Sequence, residues 1–488
     1  MKYHLITLGC QMNKSDSERV KRVIESMGFR PTESEEDANL LGILACSVRQ
    51  KSIDKVYGKI HKWNKRKDRE SLITFISGCV LPKDREQFLK TFDIIFTMNE
   101  LPQFPEMIAQ YGVVSPAALR MANPQPVMES DPEISIDLAQ LARNKQRVSA
   151  RDIQLSIDKE RVQIDNFWDI KPDYTSDFEA FVPIQNGCDK FCTFCAVPYT
   201  RGREVSRSSD EILQEVKSLV DRGFKSITLL GQNVNSYGLD KKGEEISFAQ
   251  LLRNIGEYGN ESGKTFWVYF TSPHPRDMGD EVIDVIAAYP CLAKQIHLPL
   301  QSGDDKVLIR MNRKHDVRKY RHIVEYIREK IPQATLFTDI IVGFTGETEE
   351  QFQNTVKAME EFKYNMAYVA VYSPRPGATS ARWDDDVPIQ VKKERLHALS
   401  DVFAQSSRAY NEALVDQIVP VLITGKDKKT GYLTGYTEGK INIRVYHQSQ
   451  DLIGQIVSVK VTTALDFSLA GELAGSSVEQ SSLELIHS

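Results

Sequence analysis

Long apolar runs are missing from this chain of 488 residues. Its apolar stretches are strand-sized and broken by charge, well short of the roughly 20 residues a membrane-spanning helix needs. The opening Met1-Lys2-Tyr3-His4-Leu5-Ile6 enters a strand-like segment at once and lacks the architecture of a signal peptide, so a cytoplasmic location is expected. An excess of one charge is missing too: 62 Lys and Arg stand against 67 Asp and Glu, a formal net charge of −5. That balance gives no global sign of nucleic-acid binding and leaves the argument to local groups. Such groups are Lys62, Lys65, Arg66 and Lys67; Arg310, Arg313, Lys314, Arg318, Lys319 and Arg321; and Lys426, Lys428 and Lys429. Runs of this kind are usually solvated faces, so each alone is weak. Cysteine is scarce, with seven residues: Cys10, Cys46, Cys79, Cys188, Cys192, Cys195 and Cys291. In a large intracellular chain such a set argues for metal binding or catalysis rather than a disulfide framework. The length suggests about two to four domains.

Three of those cysteines lie in one run, Gly187-Cys188-Asp189-Lys190-Phe191-Cys192-Thr193-Phe194-Cys195, directly after the apolar Phe181-Val182-Pro183-Ile184. Three thiolates in a C-x3-C-x2-C run can hold three corners of a cubane iron–sulfur cluster and leave the fourth iron open. A structural zinc site would want four protein ligands, and no fourth Cys or His lies nearby. The spacing resembles that of radical S-adenosylmethionine (SAM) enzymes, whose open iron is chelated by SAM.

The first third repeats one unit. Tyr3 to Leu8, Asn39 to Leu44 and Leu72 to Ser77 are apolar strands, each followed within two residues by Cys10, Cys46 or Cys79. The cysteines are 36 and 33 residues apart, room for a helix and a return loop, and Ser15 to Met27 and Val48 to Lys62 read as helices. Alternating strands and helices predict a parallel sheet with right-handed crossovers, whose post-strand loops gather on one edge. The three cysteines should therefore converge. Any one alone would more often be a buried thiol; their shared position, two of them after Gly, favours a second metal site with three ligands.

Residues 111–177 read as a linker or insertion. From Phe181 strand and helix alternate six times: strands at Phe181 to Ile184, Ser226 to Leu230, Phe266 to Phe270, Gln295 to Leu298, Thr335 to Val342 and Ala367 to Tyr372. Six such units predict an open, partial barrel with its functional loops at the strand C-termini. Those ends carry Gln232, Ser272, Gln301, Asp339 and Arg375, polar groups suited to a ligand with ammonium, carboxylate and hydroxyl functions. Each could equally cap a helix or close a turn. Cys291 reads as a packed thiol. After Asn411 four short strands, Gln417 to Thr424, Gly431 to Thr437, Lys440 to Tyr446 and Gln455 to Val461, predict a small antiparallel barrel of a kind used for RNA binding.

Taken together, the chain resembles the methylthiotransferase family of radical SAM enzymes over nearly its whole length. Gly9-Cys10-Gln11-Met12-Asn13 with Asp16-Ser17-Glu18 looks like the branch acting on tRNA. Cys46-Ser47-Val48-Arg49, Val197-Pro198-Tyr199-Thr200-Arg201-Gly202, Leu230-Gly231-Gln232-Asn233-Val234-Asn235-Ser236-Tyr237-Gly238 and Tyr372-Ser373-Pro374-Arg375-Pro376-Gly377 agree with it. Three departures stand out: Leu44-Ala45 where the family usually has Asn-Thr, Pro273 within the usual Thr-Ser-His-Pro, and a longer interval than expected between Cys79 and Cys188. The resemblance implies an N-terminal methylthiotransferase domain (1–110), a radical SAM barrel (178–408), a TRAM RNA-binding domain (411–474) and a tail (475–488). It implies two 4Fe–4S clusters, one on Cys188, Cys192 and Cys195 and an auxiliary one on Cys10, Cys46 and Cys79, with SAM as co-substrate. Phe194, Gln232, Ser272, Gln301 and Arg375 are the expected SAM-pocket residues. The implied reaction splits SAM to a 5′-deoxyadenosyl radical and puts a methylthio group on carbon 2 of a dimethylallyladenosine next to the anticodon. A protein side chain or a differently modified tRNA adenosine is the alternative substrate. Implied partners are the tRNA anticodon loop, an electron donor such as flavodoxin or ferredoxin, and a sulfur or cluster donor, with no membrane.

Overall fold

The computed structural model describes residues 1–47, 50–67, 69–111 and 165–475. Most of the stretch expected as a linker, nearly all of the tail, and Val48 and Arg49 of the second cysteine motif lie outside the described residues. The N-terminal domain is a parallel sheet of β1 (Lys2–Thr7), β2 (Arg30–Pro31), β3 (Leu40–Cys46), β4 (Ile73–Cys79) and β5 (Ile94–Ile95), in the order β2-β1-β3-β4-β5. Strand β3, Leu-Leu-Gly-Ile-Leu-Ala-Cys, is buried along its whole length. A continuous apolar run is what a central parallel strand covered on both faces requires, and separate apolar clusters pack on the sheet. In this order the chain leaves β1 in one direction for β2 and returns across it to β3, which opens a crevice beyond the strand ends. Helix α1 (Gln11–Ser26) starts there directly after Cys10, and α2 (Gln50–Lys67) four residues after Cys46.

The middle domain holds β6 (Glu179–Pro183), β7 (Gln185–Asn186), β8 (Val205–Ser206), β9 (Ser226–Leu230), β10 (Trp267–Phe270), β11 (Gln295–His297), β12 (Thr335–Val342) and β13 (Met366–Val371). Strands β6, β9 and β10 form one parallel sheet and β11, β12 and β13 another, joined by a bridge between Val268 and Leu292. The result is an open six-stranded arc. Helices behind the strands turn apolar faces onto one shared core, which also contains Cys291. The short antiparallel pair β7–β8 clamps both ends of the cysteine loop, with Gln185 opposite Ser206 and Asn186 opposite Val205.

The C-terminal domain is a closed barrel of β14 (Ile418–Lys426), β15 (Tyr432–Thr437), β16 (Asn442–Tyr446), β17 (Ile456–Ala464) and β18 (Ser468–Leu473), ordered β14-β15-β16-β18-β17. The fifth strand, β18, was not among those expected. It pairs antiparallel with β17 and parallel with β16, and the second pairing closes the barrel and removes its free edge.

The turn Glu438-Gly439-Lys440 of this barrel plugs the strand-start end of the six-stranded arc. Tyr269 Oη donates to the Glu438 carbonyl at 3.0 Å, Thr335 Oγ1 to the Gly439 carbonyl at 2.8 Å, and Lys294 N to Glu438 Oε1 at 3.0 Å. Tyr436 Oη donates to Glu179 Oε1 at 2.5 Å and lies 2.9 Å from Ser226 Oγ. The fit leaves no room for a side chain at 439, where a Cβ would come within 2.6 Å of Thr335 Cγ2.

Candidate functional site

The three strand-end cysteines converge. Cys46 and Cys79 are register partners on adjacent strands β3 and β4, and Cys10 is the residue before α1. Two glycines make the approach possible. Gly9 has φ 132°, and a Cβ there would sit 2.8 Å from Cys46 Cβ; Gly78 has φ 94°, and a Cβ there would sit 2.6 Å from the Ala45 carbonyl. Neither the left-handed backbone nor the space suits a side chain.

Asn13, fully buried, ties the three loops together. Its Nδ2 donates to the carbonyls of Leu8 (2.8 Å) and Ala45 (2.7 Å), while Oδ1 accepts from the thiols of Cys10 (3.9 Å) and Cys79 (3.6 Å). Because Ala45 contributes its carbonyl, the change from the family's usual Asn-Thr at 44–45 leaves this link intact. Burial pushes the Cys79 thiol up to about 12; the Arg201 guanidinium works against this, and Cys46 and Cys10 add to it.

The loop cysteines form a second group. Burial, with Cys192 as a like-charged neighbour, pushes Cys188 up to about 11 and Cys195 up to about 12. Arg313, buried, lies with Nη1 3.5 Å from Cys192 Sγ and donates through Nη2 to the Pro299 carbonyl at 2.9 Å. The segment 310–312 braces the loop: Thr193 N donates to the Met311 carbonyl (3.1 Å), Thr193 Oγ1 to the Arg310 carbonyl (2.8 Å), and Asn312 Nδ2 to the Phe191 carbonyl (2.9 Å). Phe191 itself is held at φ 48°.

Both groups fit an iron–sulfur cluster. Each offers three thiols and a guanidinium that can offset the cost of charging them in a buried place. Among the described residues no three His, Cys, Asp or Glu side chains converge on one point as the ligands of a single ion do. Thiolates of a cubane hold different irons and stand farther apart.

Between the cysteine sheet and the arc lies a cavity of about 820 Å³, large enough for a nucleoside-sized ligand. Cys10, Cys46 and Cys79 line one wall. Gln232 and Ser272 line the strand ends, and Lys440 and Asn442 of the C-terminal barrel line the floor. Gln232 Oε1 is buried without a hydrogen-bond partner among the described residues, and Ser272 is held at φ 57°. Halfway down, His297 Nε2 stands 3.0 Å from Asp339 Oδ2, with the Tyr368 ring 5.7 Å from the imidazole. At the floor Lys440 Nζ lies 3.5 Å from the Tyr436 ring centroid and 4.1 Å from that of Tyr269. Burial pushes its amine down to about 7, against the pull of Glu179.

Of the other expected pocket residues, Phe194 packs edge-on to Phe344 at 6.4 Å. Gln301 is buried at φ 74°, its backbone bridging to β12, and it does not line the cavity. Arg375 is half-buried near Cys46, on the side of the strand-end cysteines. Pro273 is absorbed by a clamp in which Asn235 Oδ1 accepts from His274 N (2.8 Å) and its Nδ2 donates to the His274 carbonyl (2.9 Å). Several basic residues offered to phosphates are engaged instead: Lys62 with Glu36, Arg66 with Glu70, Arg321 with Glu361, and Arg313 with the cysteine loop. His297 was legible as a polar strand end beside Gln301 and Asp339, whereas nothing in the sequence pointed to a role for Asn13, Asp16, Arg201 or Lys440. Asn13, Asp16 and Arg201 stood inside quoted motifs, but what they touch comes from distant segments.

Comparison with known proteins agrees with this layout. Residues 2–98 match the model described as uncharacterized protein family UPF0004, residues 182–359 the radical SAM superfamily, and residues 412–474 the TRAM domain. A tRNA-2-methylthio-N(6)-dimethylallyladenosine synthase of Bacillus licheniformis is 35% identical over 98% of this chain and 87% of its own. Proteins of the same name from Carboxydothermus hydrogenoformans and Dictyoglomus thermophilum are each 36% identical, over 96% and 97% of this chain and 99% and 98% of their own. Among solved structures, the cobalamin-dependent SAM radical enzyme OxsB with aqua-cobalamin aligns over 82% of this chain and 56% of its own at TM-score 0.46 and 12% identity, too distant to add to the argument. The similarity thus runs through sheet, arc and barrel over nearly the whole of this chain, to proteins of one name, and the chain belongs to the tRNA-2-methylthio-N(6)-dimethylallyladenosine synthase family of radical SAM enzymes.

Proposed function

We propose that this protein places a methylthio group on carbon 2 of N6-dimethylallyladenosine beside the anticodon of a tRNA. The observation that carries the reading is the shared cavity, in which strand-end cysteines, arc and RNA-binding barrel face one space. Cys188, Cys192 and Cys195 would hold one 4Fe–4S cluster and Cys10, Cys46 and Cys79 the other, each leaving one iron without a protein ligand. When bound, these groups supply what side chains lack: an electron to cleave SAM into a radical able to take an aromatic hydrogen, and a site for sulfur.

The protein's own part is to bind, orient and exclude water. Gln232 offers an unpartnered amide oxygen and Ser272 a hydroxyl at the strand ends, where SAM's ammonium and ribose would lie. Phe194 backs that loop, and Arg375 approaches the sulfur side near Cys46. Gln301 shapes its loop through its backbone. His297, Asp339 and Tyr368 present hydrogen-bonding groups to a base turned out of its stack, as recognition of single-stranded loops allows. An external one-electron donor, flavodoxin or ferredoxin, and a sulfur donor complete the partners. Among the described residues no helix is long and apolar enough to cross a membrane, and a tRNA substrate supports a cytoplasmic location.

Nucleoside mass spectrometry of tRNA from cells with and without the gene tests the reading. Loss of a methylthiolated dimethylallyladenosine, with its unthiolated precursor accumulating, is expected. Unchanged tRNA with a mass change on a protein would favour a protein side chain as substrate instead.

A further inference from the structure

Two residues beyond Cys195 the short helix Val197–Arg201 begins, and its last side chain reaches into the N-terminal sheet. Arg201 is 6% exposed at its side chain. Its Nε donates to Cys79 Sγ at 2.9 Å, Nη2 to Asp16 Oδ2 at 2.6 Å and Asn13 Oδ1 at 3.2 Å, and Nη1 to Asn186 Oδ1 at 3.2 Å. The carbonyl of the next residue, Gly202, accepts from Cys188 N at 3.2 Å. Adjacent residues thus hold one member of each cysteine triad.

Arginine–carboxylate pairs are frequently bidentate, the stronger arrangement. Here Nε goes to sulfur and a single oxygen of Asp16, itself 1% exposed, takes Nη2. A buried cation and an N–H aimed at a ligating thiolate are two of the factors that govern cluster potential. We propose that Arg201 is a positioning residue that raises the one-electron reduction potential of the cluster on Cys10, Cys46 and Cys79, and that Asp16 lowers it. Reduction adds one negative charge, with no bond made or broken. The guanidinium stabilises that charge and the carboxylate opposes it, and exclusion of water strengthens both effects. The proposal rests on the reading that these three cysteines hold a cluster.

The test is a potentiometric titration of the full-length chain, reconstituted with iron and sulfide and followed by electron paramagnetic resonance, dithionite supplying the electron. Replacing Cys188, Cys192 and Cys195 by Ala leaves the auxiliary cluster as the sole signal. Arg201→Met should move its midpoint to more negative potential, Asp16→Asn to more positive potential, and Arg201→Lys should fall between Met and the unsubstituted protein. If Arg201→Met holds no cluster, the Lys and Asn variants still test the opposite signs. Midpoints that stay put, or that move the same way in Arg and Asp variants, would overturn the proposal. An unsubstituted Cys10–Cys46–Cys79 set that takes up no iron would instead overturn the cluster reading beneath it.

Discussion

Asn13 shows how much one buried amide can hold. It donates to two carbonyls from different loops and accepts from two thiols and a guanidinium. Asn13→Asp keeps the shape but replaces both donors by an acceptor facing carbonyl oxygen. Either Asn13→Asp or Asn13→Ala should cost on the order of 2–4 kcal/mol, since each buried group left without its partner costs about 1–3 kcal/mol. Urea unfolding of the apoprotein measures this, and iron bound per chain should fall with it. The motif Gly9-Cys10-Gln11-Met12-Asn13 was visible in the sequence, and so was the reason for a cysteine after each strand. The carbonyls of Leu8 and Ala45 were not, because backbone acceptors carry no sequence signal. Arg201 was equally hidden, since its partner Cys79 lies 122 positions earlier.

Among the elements, periodicity located the six strands of the arc to within a residue or two, because each is an apolar run bounded by polar turns. Expected Thr335 to Val342 is β12 itself, and expected Phe266 to Phe270 begins one residue before β10. Strand β18 escaped, because Ser468-Leu469-Ala470-Gly471-Glu472-Leu473 has a Gly and no β-branched or aromatic residue; pairing on two sides rather than propensity makes it a strand. The short helix Asp305–Arg310 escaped as well, being one turn and a half set by the Asp304 cap. The two cysteine-bearing elements should separate cleanly by mutation. Cys188→Ala, in the loop clamped by β7 and β8, should abolish formation of 5′-deoxyadenosine while iron remains on the strand-end cysteines. Cys46→Ala, at the sheet edge, should leave 5′-deoxyadenosine formation and lose the methylthio product. Assay of both products, with Mössbauer or paramagnetic resonance spectra of each variant, decides the matter; a methylthio product from Cys46→Ala would remove the sheet edge from the chemistry.

At the scale of the whole molecule, acid is the weak point. His274 and His315 meet edge to face at 5.6 Å beneath the cysteine loop. Burial, then Arg313, pushes His315 down to about 3, with Lys319 in the same direction and Asp316 and its bond to the Arg313 carbonyl against it. Burial, then Arg313, His315, Arg276 and Lys190, holds His274 far below the ordinary histidine range. Unfolding returns both to about 6.5. The unfolded chain then binds more protons below that pH, so their contribution is complete above about pH 6.5 and is lost as pH falls towards 3. Each histidine can contribute up to about 1.4 kcal/mol per pH unit within that window. Urea unfolding at pH 7.5, 5.5 and 4.5 should show the decline, with a shallower slope in His315→Phe; a flat profile would contradict it.

The turn at 438–440 also has a temporal consequence. Synthesis proceeds from the N-terminus, so the cysteine sheet and the arc leave the ribosome well before the segment that floors their cavity. Until Lys440 and Asn442 arrive, the space is a tube open at its far end. A chain terminated between the arc and the barrel would carry all six cluster cysteines without that floor. Synthesis of the barrel is therefore itself a safeguard, withholding a floored cavity from every fragment that ends before Lys440 and Asn442.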